Sequence, residues 1–300
     1  MRRRFPVSLG LAALVLGGLG VVLLLPFVAD LPHPQQGVLL QREGARLVAP
    51  PYRPGQLGYV LGSDFLGRDY LSRLVYGART TLGLALAINL VRFAVALPAG
   101  LWAGGRRGLP ARILQVAASG FGALPALILA LMAMRGVRPL LLGANAWMVA
   151  YVLMLGLTGA PRIAEQVRRR TEEVALMPHV EAARALGARP FRILVRHVLP
   201  LLRGDLLVMV PSEIAWVLMI MAQLALFGVY PGGFVVVETI SGNIAVAEYL
   251  PEWGQMLGTA WLYLRQYPWL ALCPGLALGL TAAGFHLLAE GLRQRDLRFR

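Results

Sequence analysis

The sequence predicts an all-α, polytopic membrane protein with six transmembrane helices and a cytoplasmic helix-turn-helix loop between spans four and five. Three observations predict it. The 300 residues are 57% hydrophobic and only 15% charged, with a mean hydropathy of +0.63, too apolar for a soluble domain of this size. Six runs stay apolar for about 18 residues or more, enough to cross a ~30 Å hydrocarbon core as helix. The arginines between those runs are unevenly shared.

Taken in order, residues 1–6 form a cytoplasmic tail holding Arg2, Arg3 and Arg4, and residues 7–29 the first span. That run exceeds the roughly 7–15 apolar residues of a cleaved signal and lacks a clean small-x-small site, so it reads as a signal anchor. Residues 30–81 form an extracytoplasmic loop containing LGSDFLGRD, and residues 82–290 a transmembrane core. Within the core the spans run about Leu82–Leu101, Ile113–Met134, Leu140–Gly159, Leu206–Val229 and Tyr267–Leu288, with a cytoplasmic loop over 162–203. Pro98, Pro125, Pro211 and Pro274 predict kinks, which membrane helices tolerate when neighbours satisfy the freed carbonyls. Residues 291–300 form a second cytoplasmic tail. Nineteen arginines fall in segments predicted inside and nine in segments predicted outside, with Arg92 in the second span. This bias places both termini and the 162–203 loop on the cytoplasmic side of the membrane.

Composition also excludes functions. All 29 basic residues, against 15 acidic, are arginine. Without lysine the chain has no P-loop, so it does not hydrolyse ATP through that motif. Cys273 is the single cysteine, which removes an internal disulfide or a multi-cysteine metal site. There is no HExxH, no GxSxG and no pair of membrane aspartates, and His33, His179, His197 and His286 lie in separate regions. Neither an enzyme, a cofactor nor a metal is predicted. The net charge of +14 comes from arginines dispersed at span ends, unlike a nucleic-acid-binding stripe. A secondary transporter, the other class of polytopic carrier, would favour an inverted repeat, and the halves show none that convinces.

The segment Glu181–Pro200, EAARALGARPFRILVRHVLP, is out of place among lipid-facing runs. The run HVEAARALG has high helix propensity and closes at Gly187, a residue type suited to a left-handed helix end. A second helix is predicted from Pro190 to Leu199, stopped by Pro200. Ala182, Ala183 and Ala185 give the first helix a thin, close-approach surface, edged by Arg184, Arg189, Arg192 and Arg196. Such a unit could insert into a groove on a partner, or lie among lipid headgroups as an ordinary amphipathic surface helix.

The order of Glu181, Ala182, Ala183, Gly187, Leu199 and Pro200 resembles the signature loop of permease subunits of binding-protein-dependent ABC importers. Arg196-His197-Val198-Leu199-Pro200 is similar to the version found in the dipeptide, oligopeptide and nickel branch. The stretches LGSDFLGRD and LSRLVYGAR resemble the segment before the second span in the C-type permeases of that branch. Pro251-Glu252-Trp253-Gly254 and the later Pro268-Trp269-Leu270-Ala271-Leu272 are a weaker echo. The resemblance implies that Glu181, Ala182, Ala183, Arg184, Gly187 and Pro200 belong to a coupling loop docked on an ATPase. It also implies a second permease subunit, two ATPase subunits and an extracytoplasmic solute-binding protein as partners, besides membrane lipid. Peptide or a similar small solute would be carried.

Departures from the pattern leave the solute open. Of the family's usual run on residues 221–230 only Ala222, Leu224 and Gly228 survive; Ser119 replaces an expected aspartate, and the outer stretch 231–250 is long. Polar groups within spans are costly and so face protein or water, which makes Asn89, Arg92 and Glu213 candidates for lining a pathway. Asn145, Gln223 and His286 are scattered over other spans.

Overall fold

The computed structural model describes residues 7–105, 108–123, 125–135, 139–232, 234–238, 244–248 and 250–297. Ten helices are described: α1 (Val7–Val28), α2 (Tyr70–Gly104), α3 (Leu109–Ala123), α4 (Ala126–Arg135), α5 (Pro139–Ala175), α6 (Pro178–Ala185), α7 (Pro190–Ile193), α8 (Leu199–Leu226), α9 (Trp253–Ala260) and α10 (Pro268–Leu297). Five helical stretches are long and apolar enough to cross a membrane: Val7–Val28, Tyr70–Gly104, Asn145–Ala175, Pro190–Leu226 and Pro268–Asp296.

The third predicted span is not one helix. Proline has no N–H and disfavours helix in the residue before it, so the chain breaks at Pro125. The Pro125 carbonyl then accepts from Ile128 N at 2.9 Å and Leu129 N at 3.2 Å, opening α4 as a new helix.

Two helices are longer than expected. α2 starts at Tyr70 instead of near Leu82, because the Asp69 carboxylate accepts from Ser72 N at 2.7 Å and caps it. α5 continues past Gly159 to Ala175, taking up the first part of the 162–203 loop. Its charges support the extension at helical spacing: Arg168 meets Glu165 at 2.7 Å and Glu172 at 2.8 Å, and Arg169 meets Glu165 at 2.7 Å.

Pro200 does not stop a helix. One π turn, Leu194–Val198, leads into α8, and Pro200 occupies the first turn of that helix, where a missing N–H costs least. Nor is the chain wholly α outside the spans. Two antiparallel hairpins occur, β1 (Gln41–Glu43) with β2 (Arg46–Val48) and β3 (Phe234–Glu238) with β4 (Ile244–Glu248). The second arises from β-branched FVVVE facing IAVAE, a composition suited to strand pairing.

α2 and α5 approach most closely through glycines. A Cβ on Gly100 would lie 2.5 Å from the Ala164 carbonyl oxygen, and one on Gly104 2.6 Å from that of Arg168. This GxxxG spacing lets two backbones touch where a larger side chain would part them. The buried side chains form two apolar clusters. One contains Ile88, Tyr151, Leu155, Leu218, Met221 and Met256; the other contains Phe93, Ile163, Val167, Val180, Ile193 and Val198.

Candidate functional site

α6 opens with Pro178 at its first turn, where φ is already helical, and places Glu181 near its positive end. It closes in a Schellman motif: Ala188 N donates to the Ala183 carbonyl at 3.1 Å and Gly187 N to that of Arg184 at 3.0 Å. Gly187 carries φ +81°, the left-handed conformation the sequence suggests for it. The turn sends the chain to α7, whose first residue is Pro190.

This unit has an anchored back and an open front. Val180, Ile193 and Val198 are buried in one apolar cluster with Val174 and Leu202, which ties the segment to α5 and α8. Glu181, Ala182, Arg184, Gly187 and Pro200 are exposed and Ala183 half-buried. Leu186 and Phe191 stand on the front at 88% and 76% exposure. Sequence reasoning passed over these two; the signal was an apolar residue on each side of the turn with no place on the buried face.

Between the two apolar clusters lies an ionic layer. Arg92 Nη1 donates to Glu213 Oε2 at 3.1 Å, and Arg162 Nη2 to Glu213 Oε1 at 2.6 Å. Arg92 Nε also donates to the Leu155 carbonyl at 3.2 Å. Arg92 and Glu213 are 2% and 4% exposed, whereas the Arg162 side chain is 47% exposed, its guanidinium 5.7 Å from the Trp216 ring centroid. Asn89 is buried beside them and donates to the Val210 carbonyl at 3.3 Å. The structure thus brings Asn89, Arg92 and Glu213 to one level. A cavity of about 310 Å³ opens there, bordered by Arg92, Arg162, Thr158 and Trp216. Asn89 and Glu213 stand behind its wall. Arg162 was missed because it sits past the predicted end of span four.

A second buried ionic group closes the opposite end of the molecule. Asp64 accepts from Arg68 Nε at 2.6 Å; Glu248 accepts from Arg68 Nη2 at 3.1 Å and Arg73 Nη2 at 2.7 Å, and from the Thr259 hydroxyl. The LGSDFLGRD stretch is therefore a buried brace between the segment before α2 and the segment before α9. Next to it Glu252 caps α9, accepting from Gly254 N at 2.9 Å, Gln255 N at 2.7 Å and the Thr81 hydroxyl at 3.0 Å. Burial pushes the Glu252 carboxyl up from its ordinary value, and these three donors pull it back. Glu248→Gln is expected to cost about 3 kcal/mol, the usual scale for breaking a buried pair, because Arg68 and Arg73 would share Asp64 alone. The fall in unfolding temperature of the purified protein checks it.

A bundle of long apolar helices, with charged groups buried between its clusters and a solvent-facing helical turn anchored to two of its helices, defines a polytopic membrane transport subunit. The chain belongs to the family of binding-protein-dependent transport system inner membrane components, whose family model matches residues 96–295. It is similar to the peptide transport system permease protein SapC of Escherichia coli O6:H1, 29% identical over 259 residues, covering 86% of this chain and 80% of that one. It is 30% identical over 233 residues to the glutathione transport system permease protein GsiD of Pectobacterium atrosepticum, covering 78% and 70%. The di/tripeptide transport system permease protein DppC of Pseudomonas aeruginosa is 28% identical over 253 residues, covering 82% and 75%. The chain is a permease subunit of an ABC importer, a class that works with ATPase and substrate-binding components, and its relatives are transport proteins, not enzymes.

Proposed function

We propose that this subunit forms half of the pathway by which a peptide or similar small solute enters the cell, and that Glu181–Pro200 is where ATP hydrolysis on partner subunits drives it. The observation carrying this reading is the division of that segment into a buried back, Val180, Ile193 and Val198, and an exposed front, Glu181, Ala182, Arg184, Leu186 and Phe191. A surface helix resting on lipid would need no such anchorage in the core. Two ATPase subunits, a second permease and an extracytoplasmic binding protein complete the assembly; the names of the relatives support peptide as the solute class.

In this reading the chain crosses the inner membrane six times, with the broken pair α3 and α4 as the third crossing and both termini inside. The organisation is tail 1–6, span 7–29, outer loop 30–81, core 82–290 with the cytoplasmic loop 162–203, and tail 291–300. The arginine bias supports that orientation. Closure of the ATPases would displace α6, and α5, packed on it, together with α8, joined to it through α7 and the π turn, would carry the displacement to the ionic layer as a rigid-body movement.

Tagged protein should co-purify with an ATPase and a second permease, and uptake should cease when the ATPase's P-loop lysine is replaced. Isolation as a lone chain that transports unaided would sink the reading.

A further inference from the structure

We propose that the ionic layer is a carboxylate-binding station on the solute's route, with the Arg162 guanidinium as its contact and Arg92 as the charge behind it. This rests on the permease reading and adds what part of the solute is recognised. The charge count is the first ground. Among the described residues Arg92 and Arg162 pair with Glu213 alone, so the layer carries one positive charge beyond what that acid neutralises. Glu213 stands at the middle of the 28-residue α8, roughly 20 Å from either end at 1.5 Å per residue, and Arg92 is buried against it. A charge at such depth costs about 2.5–3.5 kcal/mol on insertion scales and persists where it meets water, protein or a ligand.

Geometry is the second ground. Arg92 spends its Nε on the Leu155 carbonyl and its Nη1 on Glu213, and is buried. Arg162 spends only Nη2, and its half-exposed side chain borders the cavity of about 310 Å³. Among the described residues its Nε and Nη1 make no hydrogen bond; the Cδ stem lies between these two, so each is a single charge-assisted donor for a carboxylate oxygen and not half of one fork. The Trp216 ring beside it supplies an apolar wall. A cavity of this size takes a small organic group and not only a bare ion. Glu213 then acts as a positioning residue: it fixes Arg162 through one nitrogen, the other two having no partner among the described residues.

Trp216 offers a reporter. The complex with its second permease and ATPases, in discs of phosphatidylcholine, would be titrated with alanyl-alanine and separately with alanyl-alanine amide. The Trp216 signal is the difference in emission between the wild type and Trp216→Phe. The expected result is a saturable change with the free carboxylate and none with the amide. Arg162→Gln should raise the half-saturating concentration about tenfold or more, as loss of a charge-assisted hydrogen bond implies, while Arg162→Lys retains most of the response. Equal responses to acid and amide overturn the proposal, as does an unchanged titration in Arg162→Gln. A change seen only when phosphatidylglycerol is added to the discs assigns the charge to a lipid phosphate instead. Loss of the second permease from Arg162→Gln preparations assigns it to a subunit contact. An intact complex that ignores the dipeptide removes the station alone, whereas a wild-type chain that assembles with no partner removes the permease reading as well.

Discussion

Gly187→Val is expected to abolish uptake and to lower retention of the ATPase on the purified subunit at least about tenfold, while membrane insertion stays normal. Gly187 holds φ +81°, where a side-chain-bearing residue pays about 1–2 kcal/mol and a β-branched one more. Nothing lies within 4 Å of an added Cβ, so the penalty is backbone strain and not collision. Relieving it would break the hydrogen bonds from Gly187 N and Ala188 N and swing Leu186 and Phe191 apart. A contact surface made of both sides of a turn does not survive that. Tenfold corresponds to about 1.4 kcal/mol, within the range of that strain. Gly187→Asn, which tolerates the left-handed region, should keep most of the retention, and Glu181→Arg should uncouple hydrolysis from uptake without moving the fold. Full transport by Gly187→Val and Glu181→Arg together would remove the docking role.

Glu213→Leu is expected to be the most destabilising single change in the membrane-spanning part. It leaves Arg92, 2% exposed, with the Leu155 carbonyl as its remaining partner, and leaves Arg162 unpaired. Removing one member of a buried ion pair costs about 3–5 kcal/mol because the other charge stays desolvated. The double variant Arg92→Leu with Glu213→Leu should recover much of that loss, since the fully buried pair is replaced by two apolar groups and the one guanidinium still unpaired, that of Arg162, is half exposed. Unfolding temperatures of the four members of the cycle measure it, and a double variant no better than Glu213→Leu would show that the layer is held by something other than this pair.

Long apolar helices are legible in the sequence because lipid demands them: about 18 or more residues without charge have few other uses. The limits of those helices are less legible, since they depend on partners distant in sequence. α2 begins twelve residues before the apolar run because Asp69 caps it and Ser72 and Arg73 on its first turns are buried, bonded to the Pro32 and Pro34 carbonyls and to Glu248, which composition alone does not bring there. α5 outlasts its apolar run through local ion pairs, which hydropathy counts as loop. Pro200 looks like a stop until the π turn before it is known.

The docking residues are legible by resemblance, and their arrangement by chemistry, through the prolines and Gly187. Leu224 and Gly228, two survivors of an otherwise divergent stretch, find their reason in the structure: Val229 N donates to the Leu224 carbonyl at 3.0 Å and Gly228 takes φ +76°, closing α8. Glu248 was unreadable, because its arginine partners lie 175 and 180 positions away.

That separation bears on biogenesis. A chain made from its N-terminus delivers Arg68 and Arg73 long before the acid that neutralises them. Until Glu248 has been made, this brace has two guanidiniums and one aspartate, Asp64, to satisfy them. A chain that ends before residue 248 therefore lacks the acid that joins Arg68 and Arg73 in this brace.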